Sequence, residues 1–448
     1  MLAFDFPSAT KLGIASPRVP RIVGAPEVTT RIDAAGQISD SAAVTLPSPT
    51  LAFRAVRHKL RAMTALGTLW PAVVRGGRLL ASGRVRQFTR KLFNESAAVH
   101  AGESAPKRIG PPLVLAGHIL RPGGYDHVVL AILKGLIESG ANVLRDPDAV
   151  MNIEQIPAAF RPGEGTTPDM PRLAVTPPHL LHRFHPDRRT AAFTMWETDS
   201  LPARSIRELN RCGLVVVPSE WGAECFRRNG VVAPLAVVPL GHDPDSFRPA
   251  PPVSDCAFGT AGALDDGGLR KNVSKVIDWF RAAFPTDPAV RLRVKITPAS
   301  PPVLTHDDPR IEVIRHSLTC AELAAWYGSL TAYVNGSFGE GFGLHLLEAM
   351  ACGRPLISTS FGGASAFFGS HVGYEVGHRL VEAKNAVYSG RWGEPDAEGM
   401  IAAMRRVRAE PREAAELGCR ATERAARFTW SATTARLIET LRAAGLRL

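Results

Sequence analysis

Residues 335–363 read NGSFGEGFGLHLLEAMACGRPLISTSFGG. The run that leads into it, LTAYVNGS, is apolar and then polar, as a strand is where it leaves a sheet. Gly341-Phe342-Gly343 follows Glu340, and a glycine loop at that point lets backbone approach a ligand closely. FGLHLLEAMACG carries helical periodicity and stops at Gly353, and RPLISTS reads as the next strand. Strand, glycine loop, helix and strand make one parallel βαβ unit. The amides at the start of its helix favour an anion or sugar hydroxyls. Glu340 and Glu348 lie on either side of that helix start. Were the segment helical throughout, eight residues at about 100° each would bring Glu348 within roughly 80° of Glu340's direction, about 12 Å further along. Carboxylates accept paired hydroxyls well, so the span suits a sugar at one end and a ribose at the other. In isolation an E-x7-E pair reads as two surface glutamates; the strand, loop and helix around this one point to a site.

Similar units extend to both sides. Upstream, PPLVLAGHIL reads as a buried strand, and GGYDHVVLAILKGLIESGANV as a glycine turn, a helix and the start of another strand. RTAAFTMWETDS, CGLVVVPS and LAVVPLGHDP are strand-like runs ending in polar residues. A second series starts near Ala257 with AFGTAGAL, followed by the amphipathic helix NVSKVIDWFRAAFP, which puts Val273, Val276, Ile277, Phe280 and Phe284 on one face. VRLRVKIT and RIEVIRH are further strands, and WSATTARLIETLRAAGL is a closing helix. The fold class is therefore α/β, with two Rossmann-like parallel-sheet domains joined near 240–255 and facing a cleft. Ligands of such sheets bind at the carboxyl ends of the strands. The expected domains are 108–248 and 249–429, with a closing helix over 430–448.

Residues 1–50, rich in Ala, Pro, Ser, Thr and Val, are expected to be poorly ordered. Residues 51–107 form a basic helical segment and a linker, with the helix broken at Trp70-Pro71 or Gly76-Gly77. Ten Lys and Arg side chains fall between Ala52 and Phe93, and no Asp or Glu lies between Asp40 and Glu95, so much of the net charge of +11 is local. Residues 51–94 therefore suit an anionic membrane surface, on the inner face of the plasma membrane, or a partner protein; a solvated helix is the plainer reading. The near-neutral remainder speaks against a nucleic-acid partner. There is no apolar run long enough to span a bilayer and no secretory layout at the start, and the six scattered cysteines lack CxxC pairs. These features suggest a cytoplasmic protein with reduced thiols.

Residues 340–357 resemble the signature of glycosyltransferase family 4, the retaining enzymes of the GT-B fold, whose pattern reads roughly EGFGLPLLEAMACGRPVI; His345 stands where the family usually has proline. The similarity covers most of 113–445. VVVPSEWGAECFRRNGV with LAVVPLGHDPDSFRP is similar to the inter-domain region, LRKNVSKVIDWFRAAFP to the phosphate-binding loop and helix, RWGEPDAEGMIAAMRRV to the helix before the crossover, and FTWSATTARL to the crossover helix. The resemblance implies a donor, a nucleoside diphosphate sugar, whose transferred sugar meets Glu340 and whose ribose meets Glu348. It implies that backbone around Gly341, Phe342, Gly343 and Leu344 holds sugar hydroxyls or phosphate, that Gly123 and Gly124 form the glycine pair facing the donor, and that main chain near 313–316 meets the base. The activity implied is transfer of a hexose, with retention of configuration, to a hydroxyl of a glycan or lipid-linked saccharide.

Arg270 and Lys271 have a direct physical reading beside this. A leaving diphosphate gains charge as the glycosidic bond breaks, and fixed cations stabilise it without a metal. The family's usual Gly-Arg-Leu is Gly262-Ala263-Leu264 here, so one cation is missing and Arg270 can substitute; Lys295 is a further candidate. Glu197, where many relatives carry histidine, either orients the acceptor, or stabilises a positive sugar-like transition state, or caps a helix together with Asp199 or Ser200. His179 and His182 lack ligand spacing. Asp146-Asp148 and Asp243-Asp245 lie beside prolines and read as turns, so no metal and no cofactor are expected. A GT-B epimerase, a non-catalytic scaffold that binds nucleotide or glycan, and an adaptor acting through the basic segment are the competing functions.

Overall fold

The computed structural model describes residues 110–448 except 121–123, 153, 155, 157, 265–268, 299–305, 385–386 and 447–448. The expectations for 1–50 and 51–107, including the surface contact of 51–94, lie outside the described residues, as does Gly123.

The first sheet unit contains β1 (Pro112–Ala116), α1 (Gly124–Glu138), β2 (Asn142–Arg145), β3 (Arg172–Val175), β4 (Thr190–Phe193), α2 (Ala203–Leu209), β5 (Leu214–Val217), α3 (Glu220–Arg228) and β6 (Leu235–Val237). Its six strands are all parallel, in the order β2-β1-β3-β4-β5-β6. The apolar runs TAAF and LVVV form β4 and β5, buried at every residue, as strands covered on both faces must be. Ser219 caps α3 by accepting from the Gly222 amide at 3.0 Å. β3 was not legible in the sequence. It is four residues long, RLAV, set among prolines and polar residues, and it becomes a strand by pairing with β1 and β4.

The second unit contains β7 (Cys256–Gly262), α4 (Val273–Ala283), β8 (Val290–Ile296), β9 (Ile311–Ile314), α5 (Cys320–Gly328), β10 (Ala332–Val334), α6 (Leu344–Ala351), β11 (Leu356–Ser358) and β12 (Gly373–Glu375). These strands are also all parallel, in the order β12-β11-β10-β7-β8-β9. Val273, Val276, Ile277 and Phe280 of α4 are buried against this sheet, so the helical face read from the sequence is the packed face. An antiparallel hairpin of β13 (His378–Glu382) and β14 (Arg391–Pro395) follows, then α7 (Ala397–Ala409), α8 (Pro411–Ala425) and α9 (Trp430–Ala443). The hairpin was not anticipated from the sequence.

The chain crosses between the sheets twice, and the two crossings are bonded to each other. The His242 amide donates to the Phe428 carbonyl at 3.0 Å, and the Trp430 amide to the His242 carbonyl at 3.1 Å. Helix α9 then returns to the first unit, where it packs on α1 and buries Leu437 and Leu441 in that unit's core. Among the described residues no helix is long and apolar enough to cross a membrane.

Candidate functional site

The loop 335–343 leaves the carboxyl end of β10 and turns into α6. Gly343 stands at the head of α6 with φ 93°, a left-handed conformation that costs glycine little. The helical path therefore begins only at Leu344. Glu340 lies in the loop and Glu348 within the helix, as the sequence placed them, so the spacing for an uninterrupted helix does not apply.

Glu340 is 9% exposed and held by two cations. Lys271 Nζ lies 2.6 Å from Oε1, and Arg270 Nη1 lies 3.6 Å from Oε2. The Arg270 guanidinium also donates to the Gly339 carbonyl at 2.9 Å. Both cations come from the turn that enters α4. Burial alone would push the Glu340 carboxyl up, but Lys271 and Arg270 outweigh it and hold the group well below the usual carboxylate range. Burial pulls the Lys271 ammonium down while the Glu340 charge opposes that pull. His345 Nε2 is 3.9 Å from Glu340 Oε1. Burial, reinforced by Lys271, lowers its pKa to about 3, so the ring is neutral at physiological pH.

Glu348 occupies a second, weaker cluster. It accepts a hydrogen bond from the Tyr327 hydroxyl at 3.0 Å, and Lys295 of β8 is the cation acting on it. Burial dominates here and raises its pKa to about 7. Burial also lowers the Lys295 ammonium, against the pull of Glu348. The site thus has a strongly charged end at Glu340 and an end at Glu348 poised between neutral and ionised.

The first sheet supplies the opposite wall. Residues 194–200 follow β4, and their backbone lies on the glycine loop: a Cβ on Gly339 would overlap the Glu197 carbonyl, so only glycine fits there. The Tyr125 hydroxyl steadies the start of this wall, receiving the Met195 amide at 2.8 Å and donating to the Met195 carbonyl at 3.1 Å. Burial raises the Glu197 carboxyl, opposed first by Arg270. Glu197 caps no helix. Helix α2 starts at Ala203 behind Pro202, with no side-chain cap. Asp199 instead pairs with Arg391 of β14 at 2.9 Å, and Ser200 offers its carbonyl to Trp196 Nε1 at 2.8 Å. The helix-cap reading is therefore set aside.

Of the other expected residues, Gly124 opens α1 at φ 56° with open space where a Cβ would stand. The Phe342 side chain is 1% exposed and packs on Phe367 and Phe428, so only its backbone is available to a ligand. Gly341 abuts the Met195 side chain across the cleft, and Leu344 begins α6. His179 lies edge-on to Trp196 and its carbonyl contacts His182 Nδ1, both local packing roles. Asp146 pairs with Arg172 at 2.8 Å, and Asp243 accepts from the Asp245 amide within its own turn. Among the described residues no group of three or more His, Cys, Asp or Glu side chains could hold a metal ion. Tyr327 and Tyr388 were missed. Each reaches the site from an element distant in sequence, and neither carries a local motif.

Residues 267–407 match the family model described as Glycosyl transferases group 1. A D-inositol 3-phosphate glycosyltransferase of Pseudarthrobacter chlorophenolicus is 34% identical over 129 residues, which is 28% of this chain and 27% of that relative. The chain thus spans about a quarter of that relative's length. Among solved structures, a sucrose-phosphate synthase from Thermosynechococcus elongatus superposes with TM-score 0.53 at 17% identity, over 74% of this chain and 98% of that one. The Anabaena Alr3699/HepE protein in complex with UDP and glucose superposes with TM-score 0.55 at 14% identity, over 75% and 100%. These structural likenesses establish the fold: two facing parallel-sheet domains of the GT-B type. The match to the Glycosyl transferases group 1 model includes Arg270, Lys271, Glu340 and Glu348.

Proposed function

We propose that the chain is a retaining, metal-independent transferase that moves a hexose from a nucleoside diphosphate sugar to a hydroxyl of a glycan or lipid-linked saccharide. The observation that carries this reading is the buried Lys271–Glu340–Arg270 cluster at the mouth of the glycine loop. Two fixed cations in a water-poor site can stabilise the charge that grows on a departing diphosphate, which is the task a metal performs elsewhere. Glu340 anchors those cations and accepts hydroxyls of the sugar. Glu348, with Tyr327 and Lys295 beside it, takes the ribose hydroxyls. Glu197, across the cleft, meets the acceptor hydroxyl or the positive charge developing on the sugar ring. The HepE complex with UDP and glucose, on the same fold, makes uridine the first base to try.

The test is thermal unfolding with UDP, GDP, ADP and the donors UDP-glucose, GDP-mannose and ADP-glucose, each with and without EDTA. A ligand at a hundredfold its dissociation constant should add about 2.7 kcal/mol of stability. One nucleotide family is expected to raise Tm, to the same extent in EDTA. A folded protein that responds to none of them overturns the transferase reading, and a shift abolished by EDTA overturns metal independence.

A further inference from the structure

The β13–β14 hairpin belongs to the second unit but ends against the first. At its base the Gly393 amide donates to the Phe338 carbonyl at 2.8 Å, which ties β14 to the glycine loop. At its tip Ser389 Oγ donates to the Ser200 carbonyl at 3.2 Å. The Arg391 amide donates to Asp199 Oδ1 at 2.7 Å, and its guanidinium pairs with Oδ2 at 2.9 Å. The hairpin thus spans the two loops that build the site, and Tyr388 stands next to the Ser389 anchor at its tip. The Tyr388 ring lies 4.8 Å from Trp196, 5.5 Å from Trp392 and 5.9 Å from the Arg270 guanidinium. Trp392 is 2% exposed, so the contact on that side is a fixed wall. With its ring held on three sides, Tyr388 sets its hydroxyl beside the Glu197 carboxyl and favours that group's ionised form.

We propose that Tyr388 is a positioning residue for Glu197: the hairpin carries it across the cleft so that its hydroxyl holds that carboxylate toward the reacting end of the donor site. This rests on the transferase reading above. A hydrogen bond donated by a rigid ring limits the rotamers open to a carboxylate and so fixes where its charge points. The groups that face Glu197 are Tyr125 of α1, Arg270 and Lys271 from the turn into α4, Glu340 of the glycine loop, and Tyr388. Burial and Glu340 favour its neutral form, while Arg270, Lys271 and the Tyr388 hydroxyl favour the ionised one. Burial and then the Glu197 charge push the Tyr388 phenol well above its usual range, so it stays a donor throughout the physiological pH span.

Tyr388→Phe keeps the ring and removes the donor, which separates positioning from bracing. Three readouts are needed on the full chain: nucleotide binding by thermal shift, release of nucleoside diphosphate from the donor that the nucleotide panel selects, and the titration of Glu197. The last is followed by carboxyl 13C NMR and assigned by the loss of its signal in Glu197→Gln. Nucleotide affinity is expected to stay within about twofold of wild type, while turnover falls on the order of 10- to 100-fold, the cost of one hydrogen bond to a charged group. The acid limb of turnover and the NMR midpoint of Glu197 should both move to higher pH. In a Glu197→Gln background the same substitution should change turnover by less than about twofold, because the two groups act as a unit. An unmoved midpoint, or a full loss of turnover that persists in that background, overturns the proposal and leaves the hairpin a brace. A moved midpoint in a chain that binds no nucleotide keeps the Tyr388–Glu197 unit and removes the transferase reading.

Discussion

Lys271→Met is expected to cut turnover by roughly 10²- to 10³-fold while changing nucleotide affinity far less. That range is the usual cost of deleting one preorganised electrostatic group aimed at charge that develops in the transition state. Lys271 is 16% exposed and fixed at 2.6 Å by Glu340, so under the proposed reading it is already in place for a leaving diphosphate. Stability should fall as well, because the Glu340 carboxylate loses its nearest counter-charge. Breaking a buried pair costs roughly 3–5 kcal/mol, and Arg270, still 3.6 Å away, keeps the loss near the lower end. The sign of the pH dependence follows from Glu340. Its native pKa lies below the unfolded value, so in the wild type it contributes stability that is present above about pH 4.5 and lost as pH falls through the native pKa. In Lys271→Met the largest pull against burial is gone and the carboxyl shifts upward. The deficit in Tm relative to wild type should then be largest near pH 8 and shrink toward pH 5. Lys271→Met with Glu340→Gln should recover Tm but not turnover. Wild-type turnover from Lys271→Met would remove it from the leaving-group role.

Glu348→Gln should weaken nucleotide binding at pH 8 by about 1–3 kcal/mol, on the order of 5- to 150-fold, through the loss of charge-assisted hydrogen bonds to hydroxyls. Because burial places the Glu348 pKa at about 7, wild-type affinity should itself decline as pH falls through 7, while the variant's affinity stays flat. The gap between the two therefore closes by pH 6. Stability without ligand should run the other way. Glu348 is raised from 4.5 to about 7 on folding, so the native state binds the extra proton between these values and loses stability as pH climbs through them. That loss amounts to on the order of 3 kcal/mol for a buried carboxyl displaced so far. Relative to wild type, the Tm of Glu348→Gln should rise from pH 5 to pH 8. Calorimetry across that range, paired with nucleotide titrations, checks both signs. A pH-independent difference in Tm would mean that Glu348 is ionised throughout and that its burial is offset by Lys295.

Opposite signs for ligand affinity and apo stability are what a binding carboxylate in a dry pocket predicts. Tyr327 gives Glu348 one hydrogen bond, and the remaining acceptor capacity is left for a ligand. At Glu340 the balance is reversed. Two cations meet the carboxylate within 3.6 Å, so that end is held in its charged form.

Elements with strong local signals were legible in the residues alone. TAAF and LVVV read as strands and are buried at every residue, as strands covered on both faces are. NVSKVIDWFRAAFP repeats at helical spacing, and its apolar face is the buried one. The glycine loop before LHLLEAMA announced a close backbone approach, because few other residues can occupy φ 93° at Gly343. Which distant side chains meet depends on how the strands are ordered in the assembled sheets. Lys271 and Glu340 are 69 positions apart and pair because β7 and β10 are neighbours in the sheet, an adjacency that strand patterns alone do not encode. Glu348 is poised near neutrality because the core buries it, against the lowering pull of Tyr327 and Lys295, and burial is a property of the assembled fold. Asp199 reads locally as a capping residue, yet it pairs with Arg391, 192 positions away. The hairpin that brings Arg391 also brings Tyr388 to Glu197, and its strands carry no apolar alternation strong enough to mark them. Local propensity reports what a segment can become; the contacts between segments, where the charges are desolvated and matched, set the chemistry of this site.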